Sequence, residues 1–199
     1  MANTKEVKGA EVLNNDFSSS FLGGDCKYLI ATDHPLAGGG SVANRATSMA
    51  DLNETSLEDA LIDISTFTDD KGLIISVQAD KLIIPPQLVF VADRILNSPQ
   101  RSGTADNDIN AIKNTNVLPG GYSVNHYLTD PDAFFILTSI TAQGEGLKMF
   151  QRTAMETSME PDFATGNIRY KARERYSFGF SDWRLSLIHI SEPTRQFRI

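Results

Sequence analysis

The sequence predicts an α+β fold, with helices in the first half of the chain and strands in the second. Three observations point there. Residues 52–72 carry a capped apolar stripe of helical period. Residues 73–97 pass from two β-branched runs through Pro85-Pro86 into a second helical stripe. Residues 122–183 hold short apolar runs and one long alternating segment. The 199 residues, 41% of them hydrophobic, suffice for one domain core or two small lobes.

Taken in order, residues 4–17 read as a helix with Val7, Ala10 and Leu13 as its apolar stripe and Asn14-Asn15-Asp16 as its end. Residues 18–53 are loop-rich, with Gly23-Gly24-Asp25, a short apolar segment at 28–31, and Gly38-Gly39-Gly40. Thr55 and Glu58 have capping-box spacing, each able to satisfy a free amide at a helix start. Leu57, Ala60, Leu61, Ile64 and Phe67 then share one face, and Asp69-Asp70-Lys71-Gly72 is expected to end the helix, with Gly72 in the left-handed C-terminal position.

Residues 73–77 and 81–84 read as strands. Pro86 suits the first turn of a helix that continues through 87–97, burying Leu88, Val91, Ala92, Ile95 and Leu96. A short helix over 106–113 and strands over 122–127, 133–138 and 147–152 follow, separated by Pro131 and by Gly144 and Gly146. Over 167–183 the residues alternate. Ile168, Tyr170 and Ala172, then Tyr176, Phe178 and Phe180, point one way, and the Arg and Lys residues between them point the other.

The charge balance is acidic, with 18 Lys and Arg against 25 Asp and Glu for a net −7. That argues against a nucleic-acid binder, which needs clustered cations on phosphates. Cys26 is the only cysteine, so no disulfide or cysteine-rich metal site can form within one chain. No apolar run approaches the ~20 residues of a membrane-spanning helix.

Each candidate site has a plainer structural reading. Asp33-His34-Pro35 with Ser41 nearby could form a Ser/His/Asp hydrolase, but no Gly-x-Ser-x-Gly elbow is present, and an Asp-Pro turn explains the string. Gly38-Gly39-Gly40 lacks the Lys-Ser/Thr of a phosphate loop. Asp106-Asn107-Asp108-Ile109-Asn110 has oxygen-ligand spacing without the glycine and later glutamate of a calcium loop, so helix capping is expected. His126 is expected mid-strand, packed or hydrogen-bonded. The basic cluster at 171–175 is expected on a solvated or subunit-facing edge, and Trp183 as a buried anchor. Thus no catalytic residue, cofactor site or metal site is expected, and the chain does not read as an enzyme.

The chain changes character after Arg184. Leu185-Ser186-Leu187-Ile188-His189-Ile190-Ser191-Glu192-Pro193-Thr194-Arg195 is what results from translating a common transposase sequencing adapter. Residues 185–199 are therefore expected to be an appended read-through that packs poorly, the alternative being a true C-terminal strand. Without that segment's two arginines and one glutamate, residues 1–184 carry −8.

Several strings together resemble the major capsid protein of tailed bacteriophages, in the Mu-like head subunit group. Among them are Ala31-Thr32-Asp33-His34-Pro35-Leu36, Ala50-Asp51-Leu52-Asn53-Glu54-Thr55-Ser56-Leu57-Glu58 and Ile84-Pro85-Pro86. Further along come Tyr127-Leu128-Thr129-Asp130-Pro131-Asp132-Ala133-Phe134-Phe135, Gly146-Leu147-Lys148-Met149-Phe150 and the stretch from Arg173 to Arg184. The resemblance runs in order from Val7 to Arg184. It implies the Hong Kong 97-type capsid fold, with axial and peripheral lobes over residues 18–184. Residues 1–17 would be the end of the spine helix, with the N-terminal arm, the extended loop and most of the spine missing.

It implies a structural subunit that builds an icosahedral phage head from hexamers and pentamers of itself, with scaffold and portal proteins as further partners. The product would be made in a bacterial host's cytoplasm and end in the virion, without a membrane or specific nucleic acid as partner. An encapsulin-like cellular shell of the same fold is the nearer alternative, and a small hydrolase using His34 and Asp33 the more distant one.

Overall fold

The computed structural model describes residues 2–45, 50–101, 108–142, 146–161 and 166–189. In chain order the elements are α1 (Ala2–Asn14), β1 (His34–Pro35), β2 (Ser41–Val42), α2 (Glu54–Ser65), β3 (Ala79–Ile84), α3 (Val89–Asn97) and α4 (Ala111–Thr115). Then follow β4 (Tyr122–Val124), β5 (Phe134–Thr138), α5 (Ser139–Ala142), β6 (Leu147–Pro161), β7 (Ile168–Phe180) and β8 (Ser186–His189). The α+β class and the early-helix, late-strand order hold.

The centre is a four-stranded sheet ordered β4-β3-β5-β8, in which β4 runs parallel to β3 and the other pairs are antiparallel. Strand alternation divides β5 between two cores. Phe134 and Ile136 point into a core shared with Leu57, Ala60 and Ile64 of α2, Leu82 and Ile84 of β3, and Ala92 of α3. Phe135 points to the opposite face, where it packs with Val12 and Leu13 of α1 and with Leu29 and Ile30. Two cores on one sheet explain why β5 is apolar at nearly every position, as a strand covered on both faces must be.

A tight approach sets the β3–β4 pairing. Gly120 donates its N–H to the Asp80 carbonyl at 2.8 Å, and a Cβ placed on Gly120 would lie 2.8 Å from that same carbonyl oxygen. Gly120→Ala should therefore shift backbone and cost about 1–3 kcal/mol, as overpacking does. Urea denaturation of the two proteins measures it.

Several expectations need correction. The α2 cap is Asn53, which accepts from the Ser56 N–H at 2.8 Å, while the Ser56 hydroxyl faces the Asn53 N–H at 3.0 Å. Thr55 and Glu58 thus lie inside the helix, because Asn53 with Ser56 has the same three-residue spacing and is the better side-chain acceptor. Asp69-Asp70-Lys71-Gly72 does not end α2, which stops at Ser65. It forms a separate turn, with the Asp69 carboxylate accepting from the Lys71 and Leu73 N–H groups. Those bonds, that from Leu73 foremost, hold the Asp69 carboxyl below its usual range.

Residues 73–77 form no strand. The segment makes only an isolated bridge from Ile74 to Thr68, and Leu73 and Ile74 are exposed. Ala10 and Leu13 of the expected α1 stripe are buried, with Val12 beside them, whereas Val7 is exposed. The short helix begins at Ala111 rather than 106, and β4 ends at Val124, so His126 stands exposed in a turn rather than mid-strand. There the Asn125 side chain accepts the Tyr127 N–H, giving the backbone a bond that competes with strand pairing. Strand β6 runs to Pro161, well past residue 152.

The C-terminal segment also departs from expectation. Ser186–His189 pairs with β5 as the edge strand β8. An open strand edge offers backbone donors and acceptors to any β-prone neighbour, so this pairing does not depend on where the segment came from. Residues 190–199 lie outside the described residues.

A buried His–Asn–Trp clamp as the candidate functional site

A buried polar network joins the turn at His34 to the string Asp182-Trp183-Arg184. His34 is fully buried at 0% exposure. Its Nδ1 lies 2.6 Å from Asp25 Oδ2 and its Nε2 lies 3.1 Å from Asn44 Oδ1. Each ring nitrogen thus has an oxygen partner within hydrogen-bond reach, so neither is buried without one. The ring stacks on Trp183 with centroids 4.5 Å apart and planes 9° from parallel, and Phe67 meets the indole edge-on at 5.8 Å.

Asn44 ties the network to the backbone. It is buried, donates to the carbonyls of Leu29 at 2.8 Å and Trp183 at 3.0 Å, and accepts from the Ala31 N–H at 3.0 Å. One side chain thus satisfies three buried backbone groups, one of them 139 residues away at Trp183, and each would otherwise lose a hydrogen bond on burial. Arg184 closes the outer side. Its guanidinium lies over the Trp183 ring at 4.4 Å, donates to the Thr68 carbonyl at 2.9 Å and pairs with Asp70 at 2.8 Å. Its own carbonyl accepts from the buried Thr138 hydroxyl at 2.9 Å.

The structure does not assemble the Asp33, His34 and Ser41 alternative. Asp33 sits on the surface, where it accepts from Lys27 and holds that ammonium above its usual range. The carboxylate on His34 is Asp25. Ser41 pairs with Pro35 and is exposed, whereas His34 pairs with Val42, so strand alternation turns Ser41 away from the imidazole. Asp33, His34 and Ser41 are not brought together. Asn44, Asp25 and Phe67 had no motif to reveal them as partners of His34 and Trp183. Trp183 is the buried anchor expected of it, at 6% exposure.

The other candidates resolve locally. Gly39 and Gly40, both at φ +91°, form the turn between β1 and β2, with the Gly39 N–H bonded to the Leu36 carbonyl. Asp106 and Asn107 lie outside the described residues. Asn110 caps α4 by accepting from the Lys113 N–H, and its amide donates to the Ile95 and Ser98 carbonyls. Among the described residues no group of three His, Cys, Asp or Glu side chains is placed to hold a metal ion. No described helix is long and apolar enough to cross a membrane.

One buried acid stands apart from the clamp. Asp16, 6% exposed just beyond α1, has its carboxyl pushed up to about 7 by burial. The N–H groups of Phe17 and Asp16 pull it back, the charge of Asp130 adds to the rise, and Arg45 opposes it.

Strands β6 and β7 form their own two-stranded sheet, a ribbon reaching from the body. The alternation expected of β7 is borne out. Arg169, Lys171, Arg173 and Arg175 are all exposed and fall on one face. The basic cluster expected at 171–175 thus lies on an exposed face, where alternation gathers cations that the acidic net charge conceals.

The clamp fastens distant parts of the chain to one another, beside a long exposed ribbon. The chain belongs to the phage capsid protein family, whose sequence model matches residues 29–185. That span runs from the segment holding Leu29 and Ile30 to the far end of the clamp. Among solved structures, the chain resembles one described as the capsid of an empty GTA particle computed with C5 symmetry. Identity is 16% and the TM-score 0.44, over 94% of this chain and 63% of that one. No curated protein matches.

Proposed function

We propose that this chain is a structural subunit of a phage head, associating with copies of itself into the capsid shell. The observation that carries the reading is membership of the phage capsid protein family over residues 29–185. The clamp supports it physically: a subunit repeated through a shell must hold one shape under load, and buried, fully bonded polar groups specify a single packing. Shells need broad complementary surfaces rather than a deep pocket.

In this reading the fold is of the Hong Kong 97 type. Residues 1–17 contribute the end of the spine helix, residues 18–184 the axial and peripheral lobes, and residues 185–199 are an appended segment. Hexamers and pentamers of the chain form the shell, scaffold and portal proteins assist, and the subunit carries no catalytic role. It is made in the host cytoplasm and resides in the virion.

The genes beside the coding sequence test this reading. Terminase and portal genes are expected there. Flanking genes for a cellular pathway, with no packaging genes among them, would contradict a phage head and favour a compartment shell.

A further inference from the structure

We propose that buried Asp16 is the pin of a pH-sensitive latch on α1: a protonated carboxyl keeps the end of the helix seated on the body, and an ionised one lets the helix lift more often. The proposal concerns motion within one subunit and stands apart from the shell reading.

The attachment of α1 comes first. Its buried residues are Ala10, Val12 and Leu13, all in its second half. The rest of its hold is polar. Lys5 pairs with Glu174 of β7 at 2.6 Å, the Tyr127 hydroxyl bonds to Asn3 at 2.6 Å, and Asn14 donates to the Tyr127 carbonyl at 2.8 Å. A helix held by so few buried apolar side chains opens at lower cost than the whole chain unfolds. Its seat is therefore sensitive to one buried group beside its last turn.

Asp16 is that group. It follows α1 by two residues, its carbonyl accepts the Ile30 N–H at 3.1 Å, and its side chain is buried. Among the described residues, the hydrogen bonds to its carboxylate come from backbone, the N–H groups of Phe17 and of Asp16 itself. It also stands at the C-terminal end of a helix, where the dipole disfavours negative charge.

Two charges act on it from the neighbouring segments. Asp130 repels it, from the turn whose Thr129 N–H bonds to Asn14 at 3.0 Å. Arg45, whose guanidinium lies 5.2 Å from the Phe17 ring centre, attracts it. The other charged groups on these elements are engaged with one another. Lys5 pairs with Glu174, Lys8 with Glu11, Lys27 with Asp33 and Asp25 with His34. Glu6 accepts the Tyr127 hydroxyl and holds it above its usual range, so that tyrosine stays neutral. Tyr28 meets Phe17 edge-on at 6.3 Å.

Burial raises the Asp16 carboxyl to about 7 while the helix is seated, and lifting returns it towards 3.8. The seated form therefore binds the proton more tightly. Opening is rarest below about pH 4, grows as pH rises, and levels off above about pH 7.

Hydrogen exchange of the 199-residue chain at pH 5 and pH 8, read by mass spectrometry and corrected for intrinsic rates, tests this with D16N and D130N. Asparagine keeps an oxygen for the two N–H groups and loses the charge. Residues 6–14 should exchange faster than residues 56–64 of α2 at both pH values, and their opening should rise about tenfold or more from pH 5 to pH 8. D16N should abolish the rise, and D130N, with the repulsion removed, should shrink it. Equal opening of α1 and α2 would mean that the helix leaves only when the whole chain unfolds, and would overturn the latch. So would a D16N chain whose rise matches the wild type. Asp130 is half-exposed, so D130N tests the latch even where D16N disturbs the fold, and an unchanged rise there would overturn it as well.

Discussion

Trp183→Ala should lower the stability of the chain by about 3–5 kcal/mol, the usual cost of truncating a large buried aromatic. The indole stacks on His34, meets Phe67 edge-on and lies under the Arg184 guanidinium, so its removal leaves three neighbours facing a cavity. The backbone bond from Asn44 to the Trp183 carbonyl survives in principle, but the ring that holds the carbonyl in place is gone. Urea denaturation followed by circular dichroism measures the loss. Trp183→Phe keeps an aromatic surface on His34 and should cost roughly half as much. An alanine variant within about 1 kcal/mol of the wild type would show that the stack does not hold the chain together.

Asp16 should make stability depend on pH in an uncommon direction. Its carboxyl titrates at about 7 in the folded chain against 3.8 for an unperturbed aspartate. The folded state therefore binds the proton more tightly. The stabilisation from the protonated acid is complete below about pH 4 and is lost as pH rises through about 7. At about 1.4 kcal/mol for each unit, the loss is on the order of 4–5 kcal/mol. Asp16→Asn should remove this dependence, matching the wild type near pH 4 and exceeding it by that amount near pH 8. A variant no more stable than the wild type at pH 8 would mean that the folded chain accommodates the carboxylate at little cost.

These two residues show how far the sequence alone could reach. The helical stripe Leu57, Ala60, Ile64 and Phe67 and the alternation of β7 were legible because periodicity is local. Trp183 was legible as an anchor because large aromatics seldom stay in water. Its partners were not, since His34 and Asn44 reach it across most of the chain and no spacing rule links them. The only carboxylate beside the histidine in sequence is Asp33, whereas the fold delivers Asp25.

Near misses have the same character. Two capping pairs of equal spacing overlap at the start of α2, and only the structure selects Asn53 with Ser56. The run at 73–77 has strand propensity but no ladder to join. The far end of β6, interrupted by Ala, Glu and Pro, has little propensity and is a strand because β7 pairs with it. Asp16 offered no signal at all, because burial of an acid is a property of the whole fold.

The central claim is that this chain builds a shell, and electron microscopy of the purified complete gene product tests it most directly. Negatively stained fields should show closed shells, or rings of five and six subunits that are their parts. Uniform particles of one subunit's size, unchanged as protein concentration rises, would contradict it.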